Sequence, residues 1–243
     1  MTVPLRAESL KLRSVPLPRL MLILAALGAG FIAFVVVHTA NAEHTTVSPT
    51  NLVTAVAAPL WFLAVVVAVV ASAGEFQHRT IQPTLLQIPD RGRLLLAKTL
   101  AAAAYGAIIT LLGTLSAIVV GLISMHITGT PTGPLHPQLV GTIAASAAIG
   151  ALWAILAVGL GLLTRSTAIA LVALLLWRFV LEGILPAITQ QPHLAQWMPS
   201  RAADALLAAH TDLLQPWAAG LLLATYTATV IAAAAWLFNR WQA

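Results

Sequence analysis

Groups able to do chemistry are sparse in this sequence. Its 243 residues hold 12 Lys and Arg, 7 Asp and Glu, 7 His and no Cys. Without cysteine there is no disulfide, no thiol catalysis and no cysteine metal site. A metal centre needs three or four converging ligands. His38, His44, His126, His136, His193 and His210 are scattered over separate loops with no H-x-x-H or H-E-x-x-H spacing, so no metal is expected. No G-x-x-x-x-G-K-[ST] is present to cradle a phosphate, and the glycines of "GLGLLTR" (Gly159–Arg165) come without a lysine. No nucleophile, base and carboxylate fall into one set. The chain is therefore not expected to be an enzyme by itself.

Two groupings of charge remain. Arg178 and Glu182 are four residues apart inside an apolar run, so a helix there sets them on one face. Charges within a bilayer are costly and usually face a bundle interior or water. Three roles stay open: a mutually neutralising pair, a polar link at an exit path, or a proton relay. The adjacent Arg disfavours the relay because it keeps the Glu ionised. The second grouping is "GEFQHRTIQPTLLQIPDRGRLLLAK" (Gly74–Lys98), which gathers Glu75, Arg79, Asp90, Arg91, Arg93 and Lys98. Ile81, Leu85, Leu86 and Ile88 give it an apolar face at roughly helical spacing. Pro83 suits a first helical turn, Pro89 would end the helix, and Pro89–Gly92 reads as a turn. A short amphipathic helix beside a basic turn is a docking element, for lipid headgroups or for a protein.

The elements that must position these groups follow from hydropathy. The chain is 60% hydrophobic and only 8% charged, against about a quarter charged in soluble domains. Too few charges remain to cover a soluble surface, so the outer surface is expected to meet lipid. The net charge of +5 follows the membrane segments, and no nucleic-acid partner is expected. A hydrocarbon core about 30 Å thick takes about 20 apolar residues as helix. Six runs qualify: Leu20–Val37, Leu52–Ala73, Leu100–Ile123, Leu139–Leu163, Thr167–Ala187 and Trp217–Phe238. The expected class is an all-α polytopic membrane protein of six transmembrane helices. Gly28, Gly30, Ala101 to Ala104, Gly150, Gly159 and Gly161 are expected to let helices approach closely. The basic N-terminus, the first apolar run and Ala40-Asn41-Ala42 resemble a signal peptide with its cleavage site. That run exceeds the usual apolar region of about 7–15 residues, so it is expected to stay as a membrane helix.

Basic residues alternate between the connections. Arg6, Lys11, Arg13 and Arg19 precede span one; Thr39–Asn51 has neither Lys nor Arg; Arg79, Arg91, Arg93 and Lys98 follow; Ser124–Gln138 has none; Arg165 and Arg240 mark the later turns, and Arg201 alone departs from the pattern. Because cytoplasmic loops are basic, both termini are expected inside, in the cytoplasmic membrane of a bacterium. Residues 1–19 form a cytoplasmic amphipathic segment. Residues 20–243 form the transmembrane domain, with a cytoplasmic loop at 74–98 and an outer-side helical segment at 189–216. Arg178 lies about 20 Å along its helix from Arg165, in the outer half. Ser200 is expected to cap a helix running to Leu214, dipping into the membrane or lying on its outer surface, with Trp197 and Trp217 as interface anchors. Pro16 and Pro18 are expected to bend the chain into span one.

The loop resembles the cytoplasmic loop of ABC-2 type transporter permeases, particularly small actinobacterial ones. It matches their pattern of a glutamate ending span two, an aromatic, a threonine, a P-x-R-G-R turn and a lysine opening span three. Here these are Glu75, Phe76, Thr80, Pro89-Asp90-Arg91-Gly92-Arg93 and Lys98. Where many members have glycine before the threonine, this chain has Arg79. "WMPSRAADAL" (Trp197–Leu206) is similar to their outer segment before span six, and "AESLKLRS" (Ala7–Ser14) to their N-terminal amphipathic helix. The resemblance implies the permease subunit of an ATP-driven exporter, moving a drug, peptide antibiotic or lipid outward. Glu75, Phe76, His78, Arg79, Thr80, Leu85, Pro89, Asp90, Arg91, Arg93 and Lys98 would couple to a separate ABC ATPase, present in two copies, with ATP and Mg held there. A second permease copy would complete the translocator. Trp197, Pro199 and Leu206 would belong to an outer gate. Reversing Arg91 and Arg93 would uncouple the ATPase and leave the fold intact. An ion-coupled secondary transporter and a membrane scaffold without transport are the alternatives.

Overall fold

Proline opens four of the helices, where its missing N–H costs nothing and its fixed φ is already helical. The computed structural model describes Glu8, Leu10 and residues 15–87, 90–133, 137–189, 196–207 and 214–240. Helix α1 is Pro16–Ala42, α2 Pro49–Gln77, α3 Ile81–Gln87, α4 Arg91–Thr128 and α5 Leu139–Thr164. Helix α6, Thr167–Leu176, passes through a π turn at Trp177–Leu181 into α7, Glu182–Thr189. Helix α8 is Pro199–Leu207 and α9 is Pro216–Arg240. Six of these segments, with α6 running on through the π turn, are long and apolar enough to cross a membrane. Among the described residues there is no strand, only an isolated parallel bridge between Val47 and Thr132.

Each expected span appears, lengthened at its ends by caps and prolines. Pro16 and Pro18 were expected to bend the chain into span one, and residues 11–14 ahead of them lie outside the described residues. Both lie in the first turn of α1, where no i−4 carbonyl waits for a donor. Ser48 caps α2 by accepting the Asn51 N–H at 3.3 Å, and Ser166 caps α6 through Ile169 N–H at 3.4 Å. Of the expected turn at Pro89–Gly92, Pro89 lies outside the described residues, Asp90 is the extended cap, and Arg91 and Gly92 already belong to α4. Asp90 accepts the Arg93 N–H at 3.1 Å, and Arg91 onward is helical.

The bundle is held by two apolar cores. One gathers Val53, Trp61, Val65 and Val69 of α2 with Ile149, Trp153 and Leu156 of α5 and Leu223 of α9. Its Trp61 and Trp153 rings stack with centroids 4.4 Å apart. The other packs Ala25, Ala29, Ala33 and Val37 of α1 on Ile109 and Ala117 of α4 and Leu52, Val56 and Leu60 of α2. Small residues on α4 allow these approaches. A Cβ on Gly106 would overlap the Gly150 carbonyl oxygen, and one on Gly150 would meet Thr110 and the Gly106 carbonyl. Gly113 and Gly121 receive the Leu60 and Leu52 side chains. Gly30, Gly159 and Gly161 also sit at close contacts, whereas Gly28 faces open space and packs against nothing. Gly150→Ala is therefore expected to destabilise the bundle by about 1–3 kcal/mol, the cost of overpacking. A thermal melt of the detergent-solubilised protein checks this.

Candidate functional site

The connection between α2 and α4 is built from backbone outward. At the end of α2 the N–H of Thr80 reaches the Glu75 carbonyl at 2.9 Å and that of Arg79 reaches Phe76 at 3.3 Å. This is a Schellman closure, and its left-handed position falls on Arg79, with φ of 55°. Glycine is usual there, so the departure noted at Arg79 is one of strain and not of geometry. An L-residue pays roughly 1–2 kcal/mol in that region, and glycine's extra unfolded freedom offsets about 0.5–1 of it. Arg79→Gly is expected to raise stability by about 0.5–1 kcal/mol, read as a higher denaturation midpoint.

From Thr80 the chain turns into α3. Thr84 bonds back to the Thr80 carbonyl through its N–H at 3.3 Å and its hydroxyl at 2.9 Å. Ile81 is buried against Leu94 and Phe238, with Phe76 beside them. Arg91 donates to the Phe238 carbonyl at 2.7 Å and lies over its ring. A cation thus satisfies a carbonyl in the last turn of α9 and fixes that end beside the start of α4. Arg165 lies over Phe76, and Thr167 donates to Gln77 at 2.8 Å. The expected apolar face divides here. Ile81 points into the bundle, while Leu86 points away and is 86% exposed. The Leu85 side chain, Ile88 and Pro89 lie outside the described residues. His78, Arg79, Thr80, Gln82, Pro83, Asp90 and Arg93 of the same connection are also exposed, with Arg93 paired to Asp90 at 2.9 Å.

Glu75 and Lys98 do not share that surface. Lys98 Nζ lies 2.7 Å from Glu75 Oε1 and 3.4 Å from both Glu8 carboxylate oxygens. The Lys98 and Glu8 side chains are only 4% and 6% exposed. A small cavity beside them, lined by Val67, Ala71, Ser72, Ala101 and Val158, has room for about one water. The three charges join the N-terminal segment, the end of span two and the start of span three. Glu8 is a functional candidate that motif reading passed over. A lone acid in an otherwise basic segment was its one signal. The expected amphipathic helix at Ala7–Ser14 lies outside the described residues except for Glu8 and Leu10, both helical, with Leu10 exposed and Glu8 buried.

The second charge grouping is an ion pair across one helix turn, and a long one. Arg178 and Glu182 approach only to 3.9 Å, and Arg178 is 35% exposed. Glu182 has nearer partners. Its Oε1 accepts the Trp177 indole N–H at 3.1 Å and the Ser200 backbone N–H at 3.2 Å. The i→i+5 register of the π turn brings residues five apart over one another, which lets Trp177 reach it. Ser200 does not cap α8. The helix begins one residue earlier at Pro199, and Glu182 supplies the acceptor for its first turn. The helix is described to Leu207 and not onward to Leu214, with residues 208–213 outside the described set. One face of it packs on the bundle, with Arg201 and Asp204 exposed on the other. Ala202, Ala203 and Ala205 are buried, Leu206 packs towards α9, and Pro199 is buried while Trp197 is half exposed. Tyr226 donates to the Trp197 carbonyl at 3.2 Å. Among the described residues no three His, Asp or Glu converge as metal ligands.

A family model described as "ABC-2 family transporter protein" matches residues 4–182. The match takes in the buried Glu8–Lys98–Glu75 contact, the whole α2–α4 connection and Glu182. No curated protein matches the chain.

Proposed function

Because the chain belongs to the ABC-2 family of transporter proteins, whose members are membrane components of transporters, we propose that it is the permease subunit of an ATP-driven exporter. The end carrying Arg79, Arg91, Arg93 and Arg240 faces the cytoplasm, since basic residues are retained there. The α2–α4 connection docks on a separate ABC ATPase, which holds ATP and Mg. Two permease copies and two ATPases make the transporter, in the cytoplasmic membrane of a bacterium. The substrate is amphipathic or hydrophobic, in keeping with apolar spans, and moves outward.

The observation that carries this reading is the division of α3. Ile81 and Arg91 tie the connection to α4 and α9, while Leu86 stands exposed on it. An apolar tip on a braced turn can receive a push and pass it to the helices behind it. A tether would have neither feature. The test is a mild-detergent pull-down of the tagged chain, with copurifying proteins identified and ATPase activity assayed. The expected result is a stoichiometric ABC ATPase. A pure permease without a nucleotide-binding partner, from cells expressing its native operon, would move the reading to a scaffold or an ion-coupled transporter.

A further inference from the structure

We infer that Glu182 is a positioning residue: it seats helix α8 against the bundle by capping it across space from the π turn of span five. The carboxylate is 5% exposed at its side chain and gives one oxygen to two donors, the Ser200 N–H of α8 and the Trp177 indole of its own helix. Pro199 brings no N–H to the first turn of α8, so the Ser200 amide is the first donor that the helix offers. A buried acceptor meeting it also meets the positive end of the helix dipole. The rest of α8 is held by small contacts. Ala202 and Ala205 pack on Ala219, and Ala203 and Leu207 join the α5–α9 core. Alanines bury little area each, so beside Leu206 and Leu207 the polar anchor is what fixes the first turn of α8. Span five itself is the least enclosed of the six, with 11% of its most apolar window buried. Glu182 therefore links its π turn and α8 into one unit. In the exporter reading, on which only this last step rests, that unit is the outer gate, and loss of the anchor leaves the gate loose.

The cap makes a distinctive prediction about charge. If Arg178 were the essential partner, Glu182→Gln and Arg178→Ala would be as harmful as Glu182→Ala. A glutamine oxygen still accepts from both N–H groups, so the cap predicts that Glu182→Gln and Arg178→Ala are mild. The absence of native cysteine allows a direct reading. Single cysteines at Ala203 and Ala154, both buried, and at exposed Arg201 are labelled with N-ethylmaleimide in membranes holding the full chain.

Glu182→Ala is expected to speed labelling of Ala203→Cys by about tenfold or more, the equivalent of one lost hydrogen bond. Trp177→Phe should give an intermediate rate. Glu182→Gln and Arg178→Ala should stay near the parent, Ala154→Cys should stay protected, and Arg201→Cys should label rapidly throughout. Unchanged labelling at position 203 in Glu182→Ala overturns the proposal. So does equal acceleration in Glu182→Gln or Arg178→Ala, and so does parallel exposure of position 154, which would make Glu182 a support of the whole bundle. The assay needs neither ATP nor a partner, so its outcome stands apart from that of the transport reading.

Discussion

Lys98→Met is expected to destabilise the protein by about 3–5 kcal/mol, because it leaves two buried carboxylates without their shared cation. Lys98 reaches Glu75 at 2.7 Å and Glu8 at 3.4 Å with almost no exposure of any of the three side chains. The adjoining cavity has room for only about one water, too little to resolvate two carboxylates, and repulsion between them adds to the loss. Combining Lys98→Met with Glu8→Gln and Glu75→Gln should recover most of the stability, since a buried ion cluster is costly to break and cheap to replace whole. Denaturant unfolding of the single and triple variants reads both. A single variant as stable as the parent would show that water reaches the cluster. The expected consequence for transport is local. The cluster joins Glu8 to both helices that flank the α3 connection, so loss of Lys98 would release Glu8 from them.

Leu86→Asp is expected to weaken binding of an ABC ATPase by about tenfold or more while leaving the thermal stability of the permease unchanged. Withdrawing a leucine from a contact forfeits about 1.5–3 kcal/mol, and each 1.4 kcal/mol is tenfold in affinity. The side chain is 86% exposed in the isolated chain, so its loss removes no internal contact. Arg93→Glu tests the polar part of the connection in the same way, its only described partner being Asp90 on the surface. Reversal of Arg91 is a different experiment from the one the sequence suggests. Its guanidinium holds the Phe238 carbonyl at 2.7 Å, so Arg91→Glu should loosen the junction of α4 and α9 before any partner is involved. Affinity of the copurified complex, measured beside the melting temperature of each variant, separates the two effects. A drop in affinity for Arg91→Glu with an unchanged melt would place Arg91 on the docking surface after all.

What sequence could and could not show follows from the range of each interaction. The six spans were legible because hydrocarbon thickness constrains every one of them, and their ends moved outward only as far as caps and first-turn prolines allowed. The docking stretch stood out through its density of charge. Its internal division did not. Glu75, Lys98 and Arg91 turned inward, each towards a partner on another element, and Glu8 pairs with Lys98 across 90 positions. The π turn at Trp177–Leu181 reads as ordinary helix, and the cap of α8 comes from a residue 18 positions upstream. With Ser200 next to Pro199, local rules favoured the serine as a cap. The proline itself marks a first helical position, but the distant carboxylate behind it was invisible to local rules. Gly106, Gly113 and Gly121 were recoverable from their spacing along span three, but which helix each would meet was not.

The most direct test of coupling through α3 is a site-specific cross-link from its tip. The cysteine-free chain accepts a single cysteine at Leu86, fitted with a short photoactivatable cross-linker in membranes that hold the complete native operon. An exposed site at the far end of α4, Ile127, serves as the control. The account predicts a cross-link from position 86 to a nucleotide-binding subunit, altered in yield when ATP is trapped, and none from position 127. A tip that cross-links only to lipid, in membranes where the ATPase is present and active, would contradict it.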